Sequence, residues 1–355
     1  MRIAILAPVW FAVPPSGYGG IEWVVSLLAD GLTDAGHDVT LFASGDSRSK
    51  ATISSVYAEA PSSLIGRTQP ELLHELSCYA RADEFDVIND HTGMLGATLG
   101  ATVDTPAVHT VHGPLAGEPG RIYELIGRVA PQVGFISISM NQRKPKPDLN
   151  WVANCHNALD FSFYPFKPTR GEYLLFLGRL SPDKGAHRAI AVAMETGLPL
   201  KIAGKKQDPK EVTYFRELVE PHLVNGIEYL GEVSHGEKVE LLQNARATLF
   251  PIEWEEPFGL VMIESMACGT PVIATRWGAV PEVIDHGHSG IIVDDYRIIP
   301  AALEEADKLD PYDIRRYVEQ EFSRERMVSD YLRAYRTMIE QASSPAEHAK
   351  LDAVS

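Results

Sequence analysis

The feature that most constrains this chain is an alternation, kept up along nearly its whole length, of short apolar runs with amphipathic stretches of helical period. A short run that is apolar throughout buries both faces of a strand, and such strands belong to parallel sheets covered by helices. In the first half the runs fall at about 2–7, 38–43, 86–89, 106–110, 134–138 and 151–153, with helical stretches clearest at about 20–35, 70–82 and 120–130. Ile21, Val24, Val25, Leu28 and Leu32 give the first helix a 3.6-residue apolar face, and Gly36 ends it.

Between Asp160 and Gly171 the chain is rich in proline and aromatic residues and has no period, which reads as an interdomain linker. The pattern then restarts, with strands at about 173–178, 200–203, 227–230, 247–250, 271–275 and 290–293. A chain of 355 residues exceeds what one core usually serves. The expectation is therefore a Rossmann-like domain over 1–165, a second over 171–322, and a terminal helix over 323–341, with Ser323 as N-cap, packing back toward the first domain. Residues 342–355 carry no apolar face and read as a flexible tail. Two doubly wound domains imply a central cleft, with ligands beyond the carboxyl ends of the strands.

Charge excludes some partners. With 48 acidic residues against 32 Lys and Arg, the formal net charge is -16, which repels nucleic-acid phosphates and anionic membranes alike. The stretch Pro70–Glu84 carries Arg81 alone against Glu71, Glu75, Asp83 and Glu84, the reverse of a polybasic docking helix. Pro8, Pro14 and Pro15 interrupt the apolar start, so it reads as a buried strand rather than a leader. No apolar run approaches the roughly 20 residues of a membrane span. Cys78, Cys155 and Cys268 are odd in number and lack C-x-x-C spacing, as expected of reduced thiols in a cytoplasmic protein.

The residues that carry chemistry follow strands. Glu253-Trp-Glu-Glu-Pro-Phe-Gly259 leads from one strand into a helix starting at Leu260 and Val261. Free N–H groups and the positive end of the helix dipole make such a start an anion site, and Gly259 removes the side chain that would block a phosphate. Glu264, about one turn further in, suits the two hydroxyls of a ribose, and Glu256 a sugar hydroxyl. Arg179 and Lys184 project from one loop after the strand 173–177, where two cations suit a diphosphate whose charge grows as its bond to a sugar breaks. Gly17, Gly19 and Gly20 open the first helix, but G-x-G-x-x-G is incomplete and the second strand ends at Ser44 without the acid that dinucleotide binding expects. His91 and His112 follow the third and fourth strands, while His109 lies inside a strand and reads as core. Asp285, His286 and His288 lie on a Gly-rich turn and read as a surface loop rather than a metal site.

Together these motifs resemble the retaining glycosyltransferases of the GT-B fold, specifically family 4. The resemblance runs from residue 1 to roughly 340. It rests on Gly19-Gly20-Ile-Glu22, Gly36-His-Asp-Val-Thr-Leu, Thr110-Val-His112, Gly178-Arg179-Leu-x3-Lys184-Gly185, Glu256-x7-Glu264, and Gly278-Ala-Val-Pro-Glu282 with Gly287-x2-Gly290. It implies a hexosyltransferase that moves a hexose from a nucleoside-diphosphate sugar to a hydroxyl of a soluble small-molecule or carbohydrate acceptor, with retention and without a metal or other cofactor. UDP is favoured over GDP or ADP. It also implies that Glu264 binds the donor ribose, Glu256 the transferred sugar, Gly19 and Gly20 the donor phosphates, His112 a sugar hydroxyl, and His91 the acceptor side. Asn157-Ala-Leu-Asp160 departs from the family's Asn-Gly-Val-Asp, so the turn there can differ. The rival readings are a nucleotide-dependent dehydrogenase, a nucleotide-sugar epimerase of the same fold, and a non-catalytic nucleotide-sugar-binding protein.

Overall fold

The computed structural model describes residues 1–17 and 19–343 and divides the chain into two compact units, Met1–Ala158 with the segment from Arg324 onward, and Leu159–Ser323. The expected tail at 342–355 lies, from residue 344, outside the described residues.

The first unit holds seven strands: β1 (Arg2–Leu6), β2 (Asp38–Phe42), β3 (Thr52–Ser54), β4 (Val87–Asp90), β5 (Ala107–Val111), β6 (Gly134–Ser137) and β7 (Trp151–Asn154). All pairs are parallel, in the order β3-β2-β1-β4-β5-β6-β7. The first helix, Gly20–Asp34, turns Val24, Val25, Leu28 and Leu32 into the core, as its period requires. The chain returns to this unit in the helix Arg324–Ala342, whose Met327, Tyr331, Tyr335 and Met338 are buried and which packs on helix Gly20–Asp34 and on β7.

The second unit holds β8 (Tyr173–Leu177), β9 (Leu200–Ala203), β10 (Ile227–Tyr229), β11 (Ala245–Phe250), β12 (Val272–Thr275) and β13 (Gly290–Val293), parallel in the order β10-β9-β8-β11-β12-β13. Leu174, Phe176, Ile190, Ile202, Leu249 and Ile273 lie in its core. Asp160–Gly171, expected as a linker, packs within this unit. Tyr164 is buried, Lys167 N–H donates to Cys268 O at 3.1 Å, and the Arg170 guanidinium donates to Ala306 O and Leu309 O.

Both sheets are doubly wound. Strand order reverses between β1 and β4 in the first unit and between β8 and β11 in the second. These switch points leave a crevice outside the carboxyl ends of the strands, the place where open α/β sheets bind ligands. Strand β3 was not anticipated, because three half-exposed residues write no apolar run. The helix that follows β8 spans Ala186–Thr196, with Gly185 in the left-handed region as its N-cap. No helix among the described residues is long and apolar enough to cross a membrane.

Candidate active site

In the second unit, the loops that leave β8 and β11 are those at the switch point, and they carry Arg179, Lys184, Glu256 and Gly259. Lys184 Nζ pairs with Glu256 Oε2, which also accepts from Trp254 Nε1 at 3.0 Å. The same ammonium sits 4.5 Å from the centre of the Trp254 ring, a cation–π contact. Glu256 and Lys184 are both well covered, so removing either would strand the other's charge.

The two loops are tied together beyond that pair. Glu253 N–H donates to Asp183 O at 2.9 Å. Buried Arg188, on helix Ala186–Thr196, donates to Pro251 O at 2.8 Å and pairs with Glu253. Gly278 explains the Gly278-Ala-Val-Pro motif. It has φ 57°, and a Cβ there would lie 2.2 Å from Glu256 N, so its backbone presses on that of the carboxylate. Ala279 N–H then donates to Glu256 O at 2.9 Å.

The helix Leu260–Ala267 starts at Gly259, at φ 84°, with no side chain capping it. Met262 N–H reaches back to Gly259 O at 3.0 Å, and the N–H groups of a helix's first turn have no partner within the helix, which suits them to an anion. Glu264 lies one turn in, and its Oε1 accepts from Tyr164 Oη at 2.8 Å and Lys238 Nζ at 2.5 Å. Burial first, and then the Glu264 charge, push the Tyr164 phenol far up, so it stays a donor. Both of these contacts are to Oε1, so the second oxygen of a fixed carboxylate is left to accept a further donor. Arg179 is the most exposed member, and its guanidinium lies 3.4 Å from Glu211, a residue that also closes the capping box of helix Pro209–Leu218.

In the first unit, His91 and His112 form one pair, with His91 Nδ1 2.9 Å from His112 Nε2 and the rings 5.2 Å apart. His91 Nε2 lies 2.9 Å from Asn89 Oδ1. Burial first, then His112 and His109, depress the His91 imidazole far below its usual range. His112 is partly accessible, yet the protein around it and then His109 bring it down to about 3. Both rings are neutral at neutral pH. His109 is buried against Tyr123 Oη at 2.9 Å, a core residue as read. Gly19 is the uncapped N-cap of helix Gly20–Asp34, with the Glu22 carboxylate against it, so an acidic group already stands at that helix end.

The sequence reading therefore finds Lys184, Glu256 and Gly259 together, Arg179 and Glu264 on neighbouring elements of the same unit, and His91 with His112. It missed Arg188, Trp254, Lys238, Tyr164, Asn89 and Tyr335, which stand at unremarkable positions. Among the described residues no group of three His, Cys, Asp or Glu is arranged to hold a metal ion.

Residues 18–144 match the family described as Glycosyltransferase Family 4, and residues 160–309 match the Glycosyl transferases group 1. The chain belongs to these glycosyltransferases. Among relatives of this family, it is 27% identical over 233 residues to glycogen synthase of Mycobacterium tuberculosis, covering 58% of this chain and 56% of that protein. The chain thus spans little more than half the length of that relative. It is 28% identical to the phosphatidyl-myo-inositol mannosyltransferase of Mycolicibacterium smegmatis, covering 85% of this chain and 84% of the other. In fold it is similar to Anabaena Alr3699/HepE, solved in complex with UDP and glucose, with a TM-score of 0.72, 18% identity, and coverage of 95% and 100%.

Proposed function

We propose that this chain is a retaining hexosyltransferase that moves a hexose from a nucleoside-diphosphate sugar to a hydroxyl of a soluble acceptor, without a metal. The observation that carries it is the assembly at the β8/β11 switch point. A mobile ammonium (Lys184) and an uncapped helix start (Gly259, Leu260, Val261) stand beside a fixed carboxylate (Glu256). A departing diphosphate needs positive charge that grows in worth as the sugar bond breaks, and a dry, prearranged site supplies it best. Lys184 and Arg179 take the diphosphate in this reading, Glu264 the ribose and Glu256 the sugar. Gly19 and Gly20 add backbone N–H groups toward the phosphates, His112 meets a sugar hydroxyl, and His91 stands on the acceptor side.

UDP is the favoured nucleotide, supported by HepE having been solved with UDP and glucose. Retention follows if the leaving phosphate assists the acceptor from the same face, with no covalent sugar–enzyme intermediate. Three free, buried cysteines support a cytoplasmic setting, and the acidic balance of the chain speaks against docking on anionic membrane. The test is incubation with UDP-, GDP- and ADP-hexoses and a panel of hydroxyl acceptors, followed by proton NMR of the first-formed product. A retained anomer is expected. An inverted anomer, or tight binding of nucleotide sugar with no turnover by any acceptor or water, overturns the reading.

A further inference from the structure

The His91–His112 pair has a direction, and buried groups behind it set that direction. Asn89 is fully buried, and its Nδ2 donates to Thr110 Oγ1 at 3.0 Å and faces Val108 O at 3.5 Å. A carbonyl only accepts, so the amide nitrogen must point that way and Oδ1 the other way. Oδ1 then receives two donors, Tyr335 Oη at 2.6 Å and His91 Nε2 at 2.9 Å. The proton of neutral His91 is therefore on Nε2, and its Nδ1 is a lone pair. His112 Nε2, 2.9 Å from that lone pair, must carry the proton of His112. The remaining nitrogen, His112 Nδ1, is left bare and makes no hydrogen bond among the described residues. The alternative direction would set a bare His91 Nε2 against Asn89 Oδ1 or, with the amide turned over, Oδ1 against Val108 O, and either costs a lost hydrogen bond in a dry site.

We propose that Tyr335, Asn89 and His91 are positioning residues that hold His112 in the Nε2–H tautomer, so that its Nδ1 accepts a hydrogen bond from a donor group of the substrate. The proposal rests on the reading of His112 as a sugar contact and names what that contact recognises: a hydroxyl or N–H, not a carbonyl or phosphate oxygen. The depressed His91 imidazole fits this arrangement, since a proton added at its Nδ1 would face the Nε2–H of His112. Tyr335 brings the terminal helix into the arrangement, which gives its fully buried hydroxyl a task beyond packing.

The test is nitrogen NMR of the full chain with 15N-labelled histidine, which reads protonation at each ring nitrogen directly. Wild type should show His112 protonated on Nε2 and bare on Nδ1 near neutral pH. A proton on His112 Nδ1, or averaging between the two tautomers, overturns the proposal whether or not the protein transfers sugar. Asn89→Leu and His91→Phe should each release His112 into a mixture of tautomers and lower turnover about tenfold, with the Kd for UDP unchanged. A pure Nε2–H tautomer in both disrupted variants would show that these residues do not set it. If the tautomer is as stated but no nucleotide sugar is turned over, the functional reading fails and the positioning chain stands.

Discussion

The polar groups singled out in the candidate sites of the two units are stabilised in opposite ways. In the second unit they are charged and paired: Lys184 with Glu256, Lys238 with Glu264, Arg188 with Glu253. In the first they are neutral and linked by hydrogen bonds, from Tyr335 through Asn89 and His91 to His112. Even an acid of the first unit is held uncharged. Glu75 is buried with Oε2 unpartnered, and burial, then Asp90, raise its carboxyl to about 8. Paired charges suit a site that must answer a change in charge, since a diphosphate leaves with more negative charge than it brought. A neutral chain of fixed direction suits recognition of hydroxyls, which carry no charge to answer.

The largest effect expected from this contrast is at Lys184. Lys184→Ala removes the ammonium and leaves Glu256 uncompensated, and turnover of the preferred nucleotide sugar should fall about a hundredfold or more, with binding of the nucleoside monophosphate little changed. Equal turnover in the variant and the wild type would sink the assignment of charge to the second unit. A smaller loss is expected from Gly278→Ala, whose new methyl would meet the Glu256 backbone. The strain is about 1–3 kcal/mol and should appear partly as a lower melting temperature and partly as lower turnover from a displaced Glu256. A variant as stable and active as wild type would show that this loop does not set the carboxylate.

Glu75 sharpens the comparison from the first unit. Its carboxyl is raised in the folded chain from 4.5 to about 8, so the folded state holds a proton that the unfolded state releases in that window. Stability from this group is fully present below pH 4.5 and is lost at about 1.4 kcal/mol per pH unit as pH rises toward 8. His112 has the opposite displacement, from 6.5 down to about 3, so its stability is present above pH 6.5 and lost as pH falls toward 3. Between pH 6.5 and 8 the Glu75 slope stands largely alone. Denaturant unfolding across that window should show wild type losing stability and Glu75→Gln holding level. Parallel curves would mean that Glu75 is already ionised.

The smallest expected effect is none. Turnover should persist in EDTA, because Arg179, Lys184 and the helix start supply the positive charge that a metal would otherwise bring. Complete loss restored by magnesium or manganese would break the account of the second unit.

The fold was legible because parallel strands buried on both faces write continuous apolar runs, and the runs at 173–177 and 200–203 correspond to β8 and β9. Candidate-site residues were legible where the chain itself places them, just after a strand or at a helix start. Illegible were the partners that arrive from afar. Tyr164 meets Glu264 across 100 positions, and Tyr335 meets Asn89 across 246. Each stands at an ordinary position of its own segment, and only packing reveals its task. Asp160–Gly171 was misleading for a related reason, since a proline-rich stretch without period looks the same whether it hangs free or is pinned by its aromatic rings.

The central claim is that the second unit answers the charge of a leaving diphosphate, and the most direct measurement is a comparison of UDP with UMP by thermal shift on the full chain. UDP should raise the melting temperature well beyond UMP, since a ligand at a hundred times its Kd adds about 2.7 kcal/mol. That margin should shrink sharply in Lys184→Ala. Equal shifts with UDP and UMP, or a margin untouched by Lys184→Ala, would contradict the account.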